Sequence, residues 1–123
     1  MDAATILIVD DNAANLKLAR VVLAAEGYDV RTASDAEEAQ RVLSTIVPRL
    51  ILMDIQLPDM DGLELTRRLK AEPRYRDMLI VALTAYAMKG DDEKAKRAGC
   101  DGYVTKPIDP ATLPVIISEL LAR

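Results

Sequence analysis

A chain of 123 residues, half of them hydrophobic and 29% charged, has the length and composition of one ordinary globular domain with one core. Its net charge of −4 argues against a nucleic-acid binder, and its single Cys excludes an internal disulfide and suits a reducing cytoplasm. It has no His to serve as a base, the start Met1-Asp2-Ala3-Ala4-Thr5 lacks the basic region of a secretion signal, and no apolar stretch approaches the roughly 18 residues of a membrane span.

In chain order, strand and helix patterns alternate five times. The apolar run Ile6-Leu7-Ile8-Val9 predicts a first strand over about 5–9, ending in Asp10-Asp11. A helix follows from about Asn12 to Glu26, with Leu16, Ala19, Val22 and Leu23 on one face and Gly27 placed to stop it. The second strand, about 28–33, mixes Tyr28, Val30 and Thr32 with polar residues, as an edge strand does. Ser34 or Asp35 can cap the next helix, whose apolar stripe is Ala36, Ala39, Val42 and Leu43, and Pro48 closes that segment.

Leu50-Ile51-Leu52-Met53 is the third strand and runs into Asp54. The turn Pro58-Asp59-Met60-Asp61-Gly62 leads to a third helix with Leu63, Leu65, Thr66 and Leu69 inward, ending near Pro73. The fourth strand, about 79–84, runs into Thr84, and a helix over about 91–98 stops at Gly99. Cys100 reads as a small buried residue before the fifth strand, about 101–105, which runs into Lys106-Pro107. The last helix is expected to be capped by Asp109 and to begin at Pro110. Pro114 is awkward inside it and requires the regular bonding to start a residue or two later.

Short continuous apolar runs are how strands buried on both faces read, and strands alternating with helices imply a parallel α/β sheet with right-handed crossovers. Ligands of such sheets bind beyond the carboxyl ends of the strands, which here carry Asp10, Asp11, Asp54, Thr84 and Lys106. Two unit charges about 4 Å apart cost roughly 4 kcal/mol at an effective dielectric of about 20, so three clustered carboxylates call for a hard cation or a protonated member. Mg²⁺, which takes few carboxylates and completes its shell with water and phosphate oxygens, matches that supply. The bland alternative is that Asp10 and Asp11 only cap the first helix. Lys106 can both offset the carboxylates and hold a phosphoryl oxygen, and a cis Lys106-Pro107 bond would aim it at the site.

Asp10-Asp11, Leu52-Met53-Asp54, Pro58-Asp59-Met60-Asp61-Gly62, Leu83-Thr84-Ala85 and Lys106-Pro107 stand in the order in which a CheY-like response regulator receiver domain carries them. The chain resembles that family over essentially its whole length, 1–123, as one domain. The resemblance implies a flavodoxin-like (βα)5 three-layer sandwich with a five-stranded parallel sheet in the order 2-1-3-4-5. It also implies that Asp54 is the phosphoacceptor, that Asp11 and Asp54 bind Mg²⁺ with the Gln56 carbonyl, and that Asp10 acts mostly through water. By the same resemblance Lys106 pairs with the phosphoryl group, Thr84 hydrogen-bonds it, and Tyr103 moves as an aromatic switch.

The implied partners are a histidine kinase or histidine phosphotransfer protein and a downstream protein met by the fourth helix, fifth strand and fifth helix. A cytoplasmic monomer or weak dimer, with no nucleic acid and no membrane, is the expectation. The stretch from Leu83 to Asp91 is similar to single-domain regulators of the DivK type and also to receivers of hybrid histidine kinases. Tyr86 and Gln56 would flank the water that cleaves the acyl phosphate, and Met88-Lys89-Gly90-Asp91-Asp92 is a candidate for partner choice.

Three other readings compete. A dehalogenase-type phosphatase wants a second Asp two residues after its nucleophile, where this chain has Gln56. A docking module that is never phosphorylated would have no use for the complete set of site residues. Nucleotide binding lacks both glycine-rich phosphate motifs.

Overall fold

The apolar runs form a sheet whose three central strands are covered almost throughout. In the computed structural model, which describes residues 3–84 and 91–122, the strands are β1 (Thr5–Val9), β2 (Asp29–Ala33), β3 (Leu50–Asp54), β4 (Leu79–Thr84) and β5 (Gly102–Thr105). They pair in parallel in the order β2-β1-β3-β4-β5, the order that the resemblance implies. The helices are α1 (Ala13–Ala25), α2 (Ala36–Leu43), α3 (Gly62–Ala71), α4 (Asp91–Ala98) and α5 (Leu113–Leu121), with a short 3-10 turn at Pro73–Tyr75.

Side chains alternate across a strand, so each run feeds two cores. Leu7, Val9, Ile51, Met53 and Ile80 pack with Ala36, Ala39 and Leu43 of α2 and Leu65 and Leu69 of α3. Ile6, Ile8, Leu50, Leu52, Val81 and Leu83 pack with Ala19 and Leu23 of α1 and Leu113, Ile117 and Leu120 of α5. The result is three layers. Fully burying one such side chain is worth about 1.5–3 kcal/mol, so mainly aliphatic residues, joined by Met53, Met78 and Tyr75, supply a core without Phe or Trp.

Most boundaries lie within a residue of expectation, as helix and strand ends usually do. Asn12 caps α1, accepting from Asn15 N–H at 3.0 Å, and Asp35 rather than Ser34 caps α2. Gly27 and Gly99 follow α1 and α4 with φ of 93° and 108°, conformations that favour glycine. β2 starts at Asp29 and β5 at Gly102, one residue later than expected, and Leu63 of α3 is only half-buried.

The last helix corrects the expectation. Pro110 lies in a turn, where Asp109 Oδ1 accepts from Ala111 N–H at 2.8 Å, and α5 begins only at Leu113 with Thr112 before it. That start puts Pro114 in the first helical turn, where a backbone N–H has no partner to lose.

Cys100 is half-buried against the α2–α3 side of the core, and burial pushes its thiol pKa up to about 11. Relative to a thiol at the usual 9.0, that leaves about a hundredfold less thiolate at pH 8. Alkylation by iodoacetamide should therefore be about two orders of magnitude slower in the folded protein than in denaturant; equal rates would contradict the burial.

Candidate functional site

Parallel register delivers the strand ends to one place. β1 and β3 pair with Val9 beside Met53, so the next residues, Asp10 and Asp54, come side by side. β4 follows with Leu83 beside Asp54, and β5 with Thr105 beside Thr84. Lys106 is thus one residue past the edge strand, its N–H donating to Thr84 O at 2.6 Å. Its side chain reaches across the end of β4 to β3.

Asp10 and Asp54 are almost wholly buried, at 0% and 2% exposure, while Asp11 is exposed. One carboxylate oxygen from each of the three lies within 4.8 Å of the others. Asp54 Oδ1 accepts from Gln56 N–H at 2.9 Å, and its Oδ2 accepts from Lys106 Nζ at 2.9 Å. Lys106 Nζ also stands 3.3 Å from Asp10 Oδ2, close enough for an ion pair. The angle there is poor, because Asp10 Oδ2 is buried without any hydrogen bond. Asp10 Oδ1 accepts from Asn12 N–H at 2.9 Å. The helix cap is Asn12, so Asp10 and Asp11 are not merely caps of α1.

The electrostatics of the cluster are unbalanced. Among the described residues, three carboxylates face one ammonium. Burial opposes the Lys106 charge, but the Asp54 hydrogen bond and the charges of Asp54 and Asp10 outweigh it and hold the lysine above its ordinary pKa. Lys106 is therefore a fixed cation across the physiological range. A buried carboxylate oxygen without a hydrogen bond, beside two further carboxylates, is a donor set for a hard cation.

The loop from Ile55 to Asp61 closes tightly beneath Asp54. Ile55 N–H donates to Leu83 O, Gly62 N–H donates to Ile55 O at 3.0 Å, and Gln56 pairs with Asp61 across the loop. Asp61 then caps α3 through Leu63 N–H. Thr84 is buried at the end of β4, and Tyr103 is half-buried on β5 beside Ala82. The Lys106–Pro107 bond is cis. Asp10, Asp11, Asp54, Gln56, Thr84 and Lys106 thus lie on or beside the carboxyl edge of the sheet, with Tyr103 further back on β5; Ala85, Tyr86 and Met88-Lys89-Gly90 fall outside the described residues, as does the side chain of Asp91.

Two contributors were not singled out. Gly62 packs its Cα against the backbone of Asp54 and Ile55, leaving no room for a side chain. Asp59, read only as part of a turn, reaches α2 with both carboxylate oxygens.

Comparisons with known proteins point one way. Residues 6–118 match the family model of the response regulator receiver domain. The polar-differentiation response regulator DivK of Brucella anthropi is 43% identical over 117 residues, covering 94% of this chain and 95% of that protein. A putative response regulator from Chloroflexus aurantiacus superposes with a TM-score of 0.93 at 32% identity, covering 99% of this chain and 100% of the other. The receiver domain of sensor histidine kinase PA1611 from Pseudomonas aeruginosa, solved with a magnesium ion coordinated in its active-site cleft, does so at 0.88 and 35%, covering 98% and 99%. Among the described residues no helix is long and apolar enough to cross a membrane.

Proposed function

This chain belongs to the response regulator receiver domain family, and on that premise we propose that it is a phosphorylation switch whose phosphoacceptor is Asp54. The observation that carries the reading is the buried Asp54 carboxylate, held between Gln56 N–H and Lys106 Nζ and flanked by Asp10 and Asp11. Asp11, Asp54 and the Gln56 carbonyl would hold Mg²⁺, with Asp10 acting through water; when bound, the ion supplies charge neutralisation for the incoming phosphoryl oxygens. Cytoplasmic localisation and a histidine kinase or phosphotransfer protein as donor belong to the same reading.

In this mechanism an Asp54 oxygen attacks the phosphorus of a phosphohistidine or small acyl phosphate, and the bond to the leaving group breaks in line. The protein's part is positioning and electrostatics rather than covalent chemistry of its own beyond Asp54. Gln56 N–H and Lys106 Nζ fix the carboxylate before attack. Afterwards Lys106 neutralises the phosphoryl oxygens, and the Thr84 hydroxyl donates to one of them. Tyr103, on β5 beside Ala82 and so two residues before Thr84 in the register, follows that movement, which alters the face of α4, β5 and α5 offered to a downstream protein.

Incubation with acetyl phosphate and Mg²⁺ should add one phosphoryl group, removable by hydroxylamine, and EDTA should abolish the uptake. No uptake from acetyl phosphate or from a panel of histidine kinases would favour an unphosphorylated docking module instead. The 35% identity to a kinase receiver supports a second setting, a receiver that works as part of a hybrid histidine kinase.

A further inference from the structure

The first turn of α2 is satisfied from two directions. Helix starts leave backbone N–H groups without intrahelical partners. Asp35, the local cap, takes Glu38 N–H at 2.7 Å. Ala36 and Glu37 instead donate to Asp59, at 2.9 Å to Oδ1 and 3.0 Å to Oδ2. Glu38 closes the corner by accepting from Ser34 N–H at 2.6 Å. Asp59 is separated by 22 and 23 residues from its two donors and lies in the loop between β3 and α3. An ordinary cap is supplied by the residue that precedes its helix, and Asp35 already fills that place. Asp59 is an addition from elsewhere in the chain.

The two segments that Asp59 joins each touch a different half of the acidic cluster. Just before α2, Ala33 O accepts the N–H of Asp10 at 3.1 Å. Three residues before Asp59, Gln56 N–H holds Asp54 Oδ1. The loop is therefore fastened at its base to Asp54 and at its tip to α2, and α2 in turn follows directly on the strand bonded to Asp10. A carboxylate forked over two successive amides at a helix start is charge-assisted and favoured by the helix dipole. The Ala36 N–H bond is the main cause that holds the Asp59 carboxyl below its ordinary pKa, against burial and with help from Glu37 N–H.

We infer that Asp59 is a positioning residue for the cation site: by clamping the loop to α2 it sets the place of Gln56 relative to Asp10 and Asp11. The inference rests on the Mg²⁺ site proposed above. Asp59 itself touches no part of the acidic cluster in any described contact; it acts through the loop.

The test compares Asp59→Ala with Asp35→Ala, which removes a cap from the same helix without touching the loop. Mg²⁺ titrations followed by melting temperature and by the Gln56 amide signal in NMR spectra give the affinity, and metal-free melts give the stability. Both variants should melt lower than the parent protein without metal. Only Asp59→Ala should weaken Mg²⁺ binding, by about tenfold, as removal of an orienting outer-shell group does. Asp59→Asn, which keeps one acceptor oxygen, should fall between and serves if Asp59→Ala does not fold. Equal Mg²⁺ affinity in the Asp59 and Asp35 variants overturns the inference. A parent protein whose melting and Gln56 signal ignore Mg²⁺ overturns the cation site itself, and faster exchange of the Gln56 amide in Asp59→Ala alone would then leave Asp59 a purely structural role.

Discussion

Asp54→Asn protein should take up no phosphoryl group from acetyl phosphate while melting within a few degrees of the parent protein without metal. The carboxamide has nearly the same shape and keeps an acceptor for Gln56 N–H, but its oxygen is too weak a nucleophile to form an acyl phosphate. The stability argument turns on two opposed terms. At an effective dielectric of about 20, the 2.9 Å contact with Lys106 contributes about 6 kcal/mol of attraction that the substitution loses. Repulsion from Asp10 and Asp11, whose nearest suitable oxygens lie within 4.8 Å, is about 3.5 kcal/mol or more for each, and the substitution relieves both. These terms nearly cancel. Mg²⁺, by contrast, should raise the melting temperature of the variant much less than that of the parent protein, because one of three carboxylates is gone. Phosphoryl uptake equal to that of the parent protein would place the acceptor at another residue.

Gly62→Ala should be among the most destabilising single-methyl changes available to this chain. A Cβ on Gly62 would stand 2.7 Å from Ile55 Cα and 3.1 Å from the carbonyl carbon of Asp54, and closer still to the Asp54 oxygen. All three atoms are backbone, so no rotamer change relieves the overlap. Overpacking costs typically about 1–3 kcal/mol where side chains can yield, and here the upper end or more is expected. For a domain of this size that is a fall of about 10 °C in melting temperature. Because the displaced atoms belong to Asp54 and its neighbour, phosphoryl uptake below the new melting temperature should fall as well. A variant that melts with the parent protein would show that the loop yields freely.

Much of this was legible in the residues because the physics was local. Each of the runs before Asp10, Asp54 and Thr84 is apolar without interruption, so it reads as a covered strand, while the shorter Tyr103-Val104-Thr105 leads to Lys106, and a parallel sheet then gathers the residues that follow. Gly27 and Gly99 announce helix ends for the same local reason. Where the determinant is distant, the reading falls short. Nothing near Asp59 says that its carboxylate serves a helix more than 20 residues earlier, since long-range caps leave no spacing pattern. Gly62 looks like any turn glycine; only the closure of the loop onto Asp54 shows that its missing side chain is a packing requirement. At α5, Asp109-Pro110 is a good helix-start signal, yet Pro114 overrules it, because a proline is tolerated in the first turn and not deeper.

The two outer strands carry a consequence for how this protein can associate. β2 lies at one margin of the sheet and presents Asp29 and Arg31, paired at 3.2 Å and each about half exposed, while β5 at the other margin is only four residues long. A free margin is a template on which a foreign strand can extend the sheet, and both charge and shortness discourage it. Polymerisation through sheet extension is thereby disfavoured on both sides. What remains available for recognition are helices and loops, surfaces that can be altered by the site without opening the sheet.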